Sequence, residues 1–183
     1  MIKKQNYLKH AIVLFLLLLL MQPERAWAAY ENVEFSSLTN HDGLTNSQVG
    51  AILKDTRGYI WFGTQSGLCR FDGFRMKTFY YINTDDKSLP NNSVDELQQD
   101  YGGNIWVHTS VGYCIYKYDE EQFERKPEEW LKNIHVQGPP YKLLIDKDKN
   151  MWIAVYGQGL YYHNAKTKNT YLFKFTKKAQ PGC

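Results

Sequence analysis

Cysteine is scarce in this 183-residue sequence and odd in number: Cys69, Cys114 and Cys183. No CxxC and no Cys/His spacing suited to zinc occurs, so a disulfide framework or a zinc module is excluded. Cys69 and Cys114 each follow a tryptophan by eight residues. That marks equivalent strand positions rather than a bridge, and both are expected to be buried free thiols behaving as small hydrophobes. Proline (6) and glycine (13) are too few for a low-complexity or collagen-like chain. No apolar run approaches the roughly 20 residues that span a bilayer. One-signed charge is missing too. The formal net charge is +3, but residues 1–28 contribute Lys3, Lys4, Lys9 and Arg25 against Glu24, and the remainder holds 18 basic and 18 acidic residues. A neutral chain offers no basic footprint for nucleic acid and no polybasic membrane patch.

What is present begins with a leader. Lys3, Lys4 and Lys9 precede the eleven apolar residues Ala11 to Met21; Pro23 follows, then Ala26-Trp27-Ala28. These are the three parts of a secretory signal peptide, with cleavage expected before Ala29. No cysteine follows closely enough for a lipid anchor. The rest is globular in composition, with 43% hydrophobic, 22% charged and 15% aromatic residues.

The main signal is an internal repeat. Ile60-Trp61-Phe62-Gly63-Thr64, Ile105-Trp106-Val107-His108-Thr109 and Met151-Trp152-Ile153-Ala154-Val155 align with their tryptophans 45 and 46 residues apart. Asp55, Asp100 and Asp146 each precede a tryptophan by six; Gly67, Gly112 and Gly159 follow at six, six and seven. Leu44-Thr45-Asn46-Ser47-Gln48-Val49 matches Leu89-Pro90-Asn91-Asn92-Ser93-Val94. In the first unit, strands are expected over 49–54, 59–64, 68–71 and 75–81, separated by turns at Asp55-Thr56-Arg57-Gly58, Gln65-Ser66-Gly67 and Asp72-Gly73. Four strands in about 45 residues is the period of a β-propeller blade. The fold class is therefore all-β: a partial propeller of about three four-stranded blades, an incomplete ring, preceded by a signal-peptide helix. The expected organisation is a leader at 1–28, a lead-in at 29–48, and blades at 49–93, 94–140 and 141–183, the last truncated. A short helical excursion is expected over 127–133, carrying Trp130. The three tryptophans are expected to fill the wedge between neighbouring blades rather than to form a sugar-stacking ring.

From Asp42 to Asp72 the unit reads Asp-Gly-Leu-Thr-Asn-Ser-x-Val, then Ile-Leu-x-Asp-x-x-Gly-x-Ile-Trp-Phe-Gly-Thr, then Gly-Leu-x-x-Phe-Asp. It resembles the two-component regulator propeller repeat, and the likeness extends over roughly Phe35 to Phe175. His108, Ala154 and Gly138-Pro139-Pro140 depart from the pattern. The resemblance implies the exported sensor portion of a Bacteroidetes-type hybrid two-component histidine kinase. In such receptors two seven-bladed propellers and an immunoglobulin-like domain precede a membrane helix, a kinase, a receiver and often a DNA-binding domain. It further implies a periplasmic location, an inner-membrane anchor on the full-length receptor, a carbohydrate ligand, a homodimer when full-length, and signal transduction without catalysis in this stretch. A secreted propeller carbohydrate-active enzyme and the ectodomain of a cyclic-dinucleotide synthase receptor are the alternatives.

No catalytic, cofactor-binding or metal residue is expected. Among His10, His41, His108, His135 and His163 no pair has metal-site spacing. Gly157-Gln158-Gly159 lacks the later glycine of a nucleotide fingerprint. Asp85-Asp86 and Glu120-Glu121 are expected to be solvated turn residues. Asp146, Asp148 and Asn150 begin like a calcium loop, but Met151 and Gly157 stand where its glycine and glutamate belong, so a hairpin is expected. Asn91-Asn92-Ser93 is a sequon that coincides with the repeat motif. Closed propellers need about 4–8 blades. Three leave open faces, so the chain is expected to be a fragment, a truncated frame or a piece that associates with remaining blades or a second copy, and to be marginally stable alone. The nucleotide sequence past codon 183 decides among these.

Overall fold

A computed structural model describes residues 35–174. The leader, His10 and Cys183 lie outside them. Twelve strands form three antiparallel sheets in chain order. Blade 1 holds β1 (Val49–Lys54), β2 (Ile60–Thr64), β3 (Gly67–Phe71) and β4 (Met76–Phe79). Blade 2 holds β5 (Val94–Gln99), β6 (Ile105–Thr109), β7 (Gly112–Lys117) and β8 (Gln122–Glu124); blade 3 holds β9 (Pro140–Ile145), β10 (Met151–Val155), β11 (Gly159–His163) and β12 (Thr170–Phe173). The expected blade meander is present in all three units. The helical excursion is α1 (Pro127–Lys132), between blades 2 and 3. Among the described residues no helix is long and apolar enough to cross a membrane.

The repeated aspartate makes the first turn of each blade. Asp55 Oδ1 accepts the Arg57 and Tyr59 amides at 2.9 and 3.0 Å; Asp100 Oδ1 accepts those of Gly102 and Asn104 at 2.8 and 3.0 Å. Asp146 does the same for Asp148 and Asn150, both at 2.9 Å. These turns need a left-handed residue three positions after the aspartate. Gly58 and Gly103 supply it at φ 94 and 86; blade 3 uses Lys149 at φ 65. Asp146 is thus a hairpin residue, as its sequence context suggests.

The outer strand of blade 1 is shorter than the 75–81 expected. Asp72 Oδ1 takes the Arg75 amide at 2.6 Å and holds it in the turn. At the far end Asn92 Oδ1 takes the Tyr81 amide at 2.7 Å and draws the chain off the ladder.

Strand pairing fixes which way each tryptophan faces. Leu53, Trp61, Arg70 and Lys77 lie side by side across blade 1. This row faces blade 2, where Trp61 joins Leu97, Ile105, Val107, Tyr116 and Phe123 in one core. Trp106 faces blade 3, in a second core with Leu143, Met151, Ile153 and Tyr161. Trp61 and Trp106 are 0% and 1% exposed. Leu44 and Leu89, from the segments that lead into blades 1 and 2, are buried as well. Val136, in the second core, is the buried residue of the corresponding segment before blade 3.

Candidate functional site

The aspartate–tryptophan pair carries a second bond. Asp55 Oδ2 accepts the Trp61 indole N–H at 2.6 Å, and Asp100 Oδ2 accepts that of Trp106 at 3.0 Å. One carboxylate therefore closes a turn and anchors the residue that fills the space between blades. At Asp146 burial raises the carboxyl pKa, but the Asn150 side chain and amide, the Asp148 amide and the Trp152 indole outweigh it and hold the pKa below the ordinary value. The six-residue spacing is visible in the sequence; its double duty became evident only from the geometry.

Blades 1 and 2 are clamped along their outer parts by charge and aromatic contacts. Tyr118 donates its hydroxyl proton to Asp55 and receives the Trp61 indole at 3.2 Å. Burial, then the Asp55 carboxylate, push the Tyr118 phenol well above its ordinary pKa. Glu121 spans Lys77 at 2.7 Å and Arg70 at 3.3 Å. The hydrogen bond and charge of Lys77, then those of Arg70, hold its carboxyl below the usual range. Glu121 is therefore an inter-blade contact rather than a merely solvated turn acid. Its pairing depends on residues 44 and 51 positions away, beyond any local sequence signal.

The contact between blades 2 and 3 is more polar. Gln98 bonds the Leu143 carbonyl at 2.8 Å and the Ile145 amide at 2.5 Å. Tyr113 accepts the Leu143 amide at 3.1 Å and donates to Glu96 at 2.9 Å. Lys142 reaches Glu96 at 2.7 Å, which raises the lysine pKa. His108 lies in this region, bonded to Asp95 at 2.6 Å, with its ring centre 4.4 Å from that of Tyr113 and tilted against it.

The remaining chemistry-bearing residues are dispersed. His41 and His135 are exposed, whereas His163 is buried. Asp85 closes a turn through the Lys87 amide at 2.9 Å, and Asn91 does so through that of Ser93 at 2.8 Å. Arg125, which drew no notice in the sequence because it is not repeated, binds the Asp85, Ser88 and Leu89 carbonyls at 2.8 to 3.2 Å. Cys69 and Cys114 are free and buried, and the Thr45 amide lies 3.4 Å from Cys69 Sγ. Among the described residues no group of three or more His, Cys, Asp or Glu could hold a metal.

An unpartnered feature among the described residues is the outer face of blade 3. Leu144, Trp152, Tyr162 and Tyr171 form the row equivalent to that of Trp61. Trp152 is half-buried, its ring tilted against Tyr162 with centres 4.5 Å apart, and Leu144 and Tyr171 are 57% and 53% exposed. A groove of about 520 Å³ runs between Tyr141 and Tyr156 over Ala154 and Val155 at one end of the blade. A second, more polar hollow of about 550 Å³ includes His135, Gln137, Gln158, Thr170 and Lys174.

Three stacked four-stranded blades of this pattern define an open segment of a β-propeller. Residues 43–66 match the family model "Two component regulator propeller", so the first unit is a repeat of that kind, as its sequence suggests. Histidine kinase P4 of Formosa agariphila is 41% identical over 61 residues, which is 33% of this chain and 4% of that protein. Among solved structures, the extracellular domain of a hybrid two component system from B. thetaiotaomicron superposes with TM-score 0.54 at 24% identity. It covers 76% of this chain and 20% of its own. A second B. thetaiotaomicron extracellular domain, of a one component system, gives 0.45 at 18% identity over 68% of this chain and 18% of its own. The chain thus spans a small part of the relatives it matches, and the structural likeness is one of fold.

Proposed function

We propose that this chain contributes propeller blades to the exported sensor portion of a hybrid two-component receptor, and that the sensed ligand is an oligosaccharide. The observation that carries this is the matched repeat at 43–66 recurring as three blades with one shared packing register. The signal-peptide pattern of residues 1–28 supports a periplasmic location for the blades. The open face of blade 3 takes a further blade or a second copy of the chain as its partner. A ligand held at the rim changes how blades seat on one another, and that change passes to a membrane helix and an intracellular kinase.

Disrupting the gene that encodes the chain tests the proposal. Loss of oligosaccharide-induced transcription of polysaccharide-utilisation genes is expected, and an unchanged response would sink the sensing role. Fractionation with N-terminal sequencing tests the location. A periplasmic product starting at Ala29 is expected, and a cytoplasmic product retaining Met1 contradicts it.

A further inference from the structure

His163 ends β11 on the face turned toward blade 2 and is 1% exposed. Its Nδ1 lies 2.9 Å from Thr170 Oγ1 on β12. That hydroxyl has one proton and gives it to the Ile134 carbonyl, 2.6 Å away in the segment after α1. Thr170 can then only accept from the imidazole, so Nδ1 carries the ring proton and Nε2 presents a lone pair. Among the described residues, buried Nε2 has no partner. A buried polar atom left unpaired is uncommon and costly.

Among the described residues, the neighbours of the ring offer no compensation for a positive charge. From the β5–β6 turn of blade 2, Tyr101 faces it at 5.6 Å between ring centres. Burial, then Asp100, raise the Tyr101 phenol pKa, so it stays neutral. Asp100 itself is occupied by turn amides, the Asn104 side chain and the Trp106 indole. From the β11–β12 turn, Lys168 places its ammonium 3.4 Å over the Tyr101 ring. The α1 side contributes Trp130, 6.3 Å from Tyr101, and the Ile134 carbonyl. Below β10, Asp146 is taken up by the amides and side chain of its own turn.

We propose that His163 is a pH-operated latch that ties the β11–β12 hairpin of blade 3 to the segment after α1. Thr170 ties the β11–β12 hairpin to the segment after α1 with the neutral, Nδ1-protonated imidazole behind it. A proton on Nε2 leaves the Nδ1–H bond intact but puts an uncompensated charge in the buried site, and so favours the opened hairpin. Burial, then the Lys168 charge, depress the His163 pKa below its ordinary 6.5. The opened chain therefore takes up a proton near pH 6.5 while the closed one does not. The latch is fully stabilising above pH 6.5 and is lost as pH falls from there through the depressed value. Within that window opening increases by up to about tenfold per pH unit. The device is independent of any ligand.

Nitrogen-detected NMR on the chain tests the premise. His163 is expected to show the Nδ1–H tautomer at pH 8 and to stay neutral as the pH falls past its ordinary 6.5. An Nε2–H tautomer, or protonation at about pH 6.5, overturns it. Amide exchange at pH 7.5 and 5.5, corrected for intrinsic rates, reads the latch itself. Openings of β11 and β12 are expected to rise severalfold at pH 5.5 while those of β2 and β3 stay constant. A uniform change, or none, overturns the proposal. His163→Gln, which can still donate to Thr170, should abolish the pH response, and His108→Gln should keep it. If His163→Gln fails to fold, the wild-type measurements decide.

Discussion

Asp100 accepts two backbone amides, one side-chain amide and one indole, and is 2% exposed. Hydrogen bonds to a charged acceptor contribute about 1.5–3 kcal/mol each, and the buried donors left behind are costly. Asp100→Ala should therefore destabilise the chain by at least about 2 kcal/mol, in the range for such bonds. Asp146→Ala should cost less, because Asp146 is half-exposed and its tryptophan faces no further blade among the described residues. Urea denaturation midpoints check the ranking; equal losses at both sites would show that the carboxylate acts on its turn alone. The same logic ranks the tryptophans. Trp61→Ala and Trp106→Ala should each cost about 3–5 kcal/mol, as for large core truncations, and Trp152→Ala distinctly less.

At the scale of the element, the departures from the repeat are as informative as its matches. Gly63 occupies the β2 position where His108 and Ala154 stand in the other blades. A Cβ there would lie 2.6 Å from Val94 Cγ1 and 3.2 Å from the Val94 carbonyl of blade 2. Gly63→Ala should thus cost about 1–3 kcal/mol, the usual penalty of overpacking. Val94→Ala in the same chain should recover part of it, since the closest atom is a side-chain methyl. Thermal melts of the double-mutant cycle decide, and strict additivity would place the strain in the Val94 backbone instead. In blade 2 the same position holds His108, bonded to Asp95 and tilted against the Tyr113 ring. The strands themselves were legible because hydrophobic alternation, turn aspartates and spaced tryptophans are local signals. The far end of β4 was not, because Asn92 draws Tyr81 away through a bond eleven residues distant. Glu121 and Arg125 were illegible for a like reason: their partners come from another blade or from the linking segment, and neither belongs to the repeat. His163 was illegible because its burial depends on the packing of blade 2 and of the segment after α1.

At the scale of the whole molecule, two interfaces of one type recur within the chain. In each, the tryptophan row of one blade meets the opposite face of the next. Blade 3 presents the same row once more, as Leu144, Trp152, Tyr162 and Tyr171, without a described blade upon it. Exposed apolar patches of this kind mark interaction surfaces or aggregation liabilities. The sequence signals the open face through the count of its tryptophans, but not its composition, since Tyr162 and Tyr171 correspond to Arg70 and Lys77 in blade 1. This aromatic row should drive concentration-dependent association of the chain in sedimentation velocity. Tyr171→Lys and Leu144→Lys together should shift the population toward monomer by tenfold or more in apparent Kd, equal to about 1.4 kcal/mol, while leaving the melting temperature of the monomer nearly unchanged. Both side chains are more than half exposed, so neither charge needs to be buried in the monomer. Association that persists in the double variant would move the contact to blade 1, whose outer face carries Ile52 at 66% exposure. Lys substitution at Ile52 would then be the change that dissociates it.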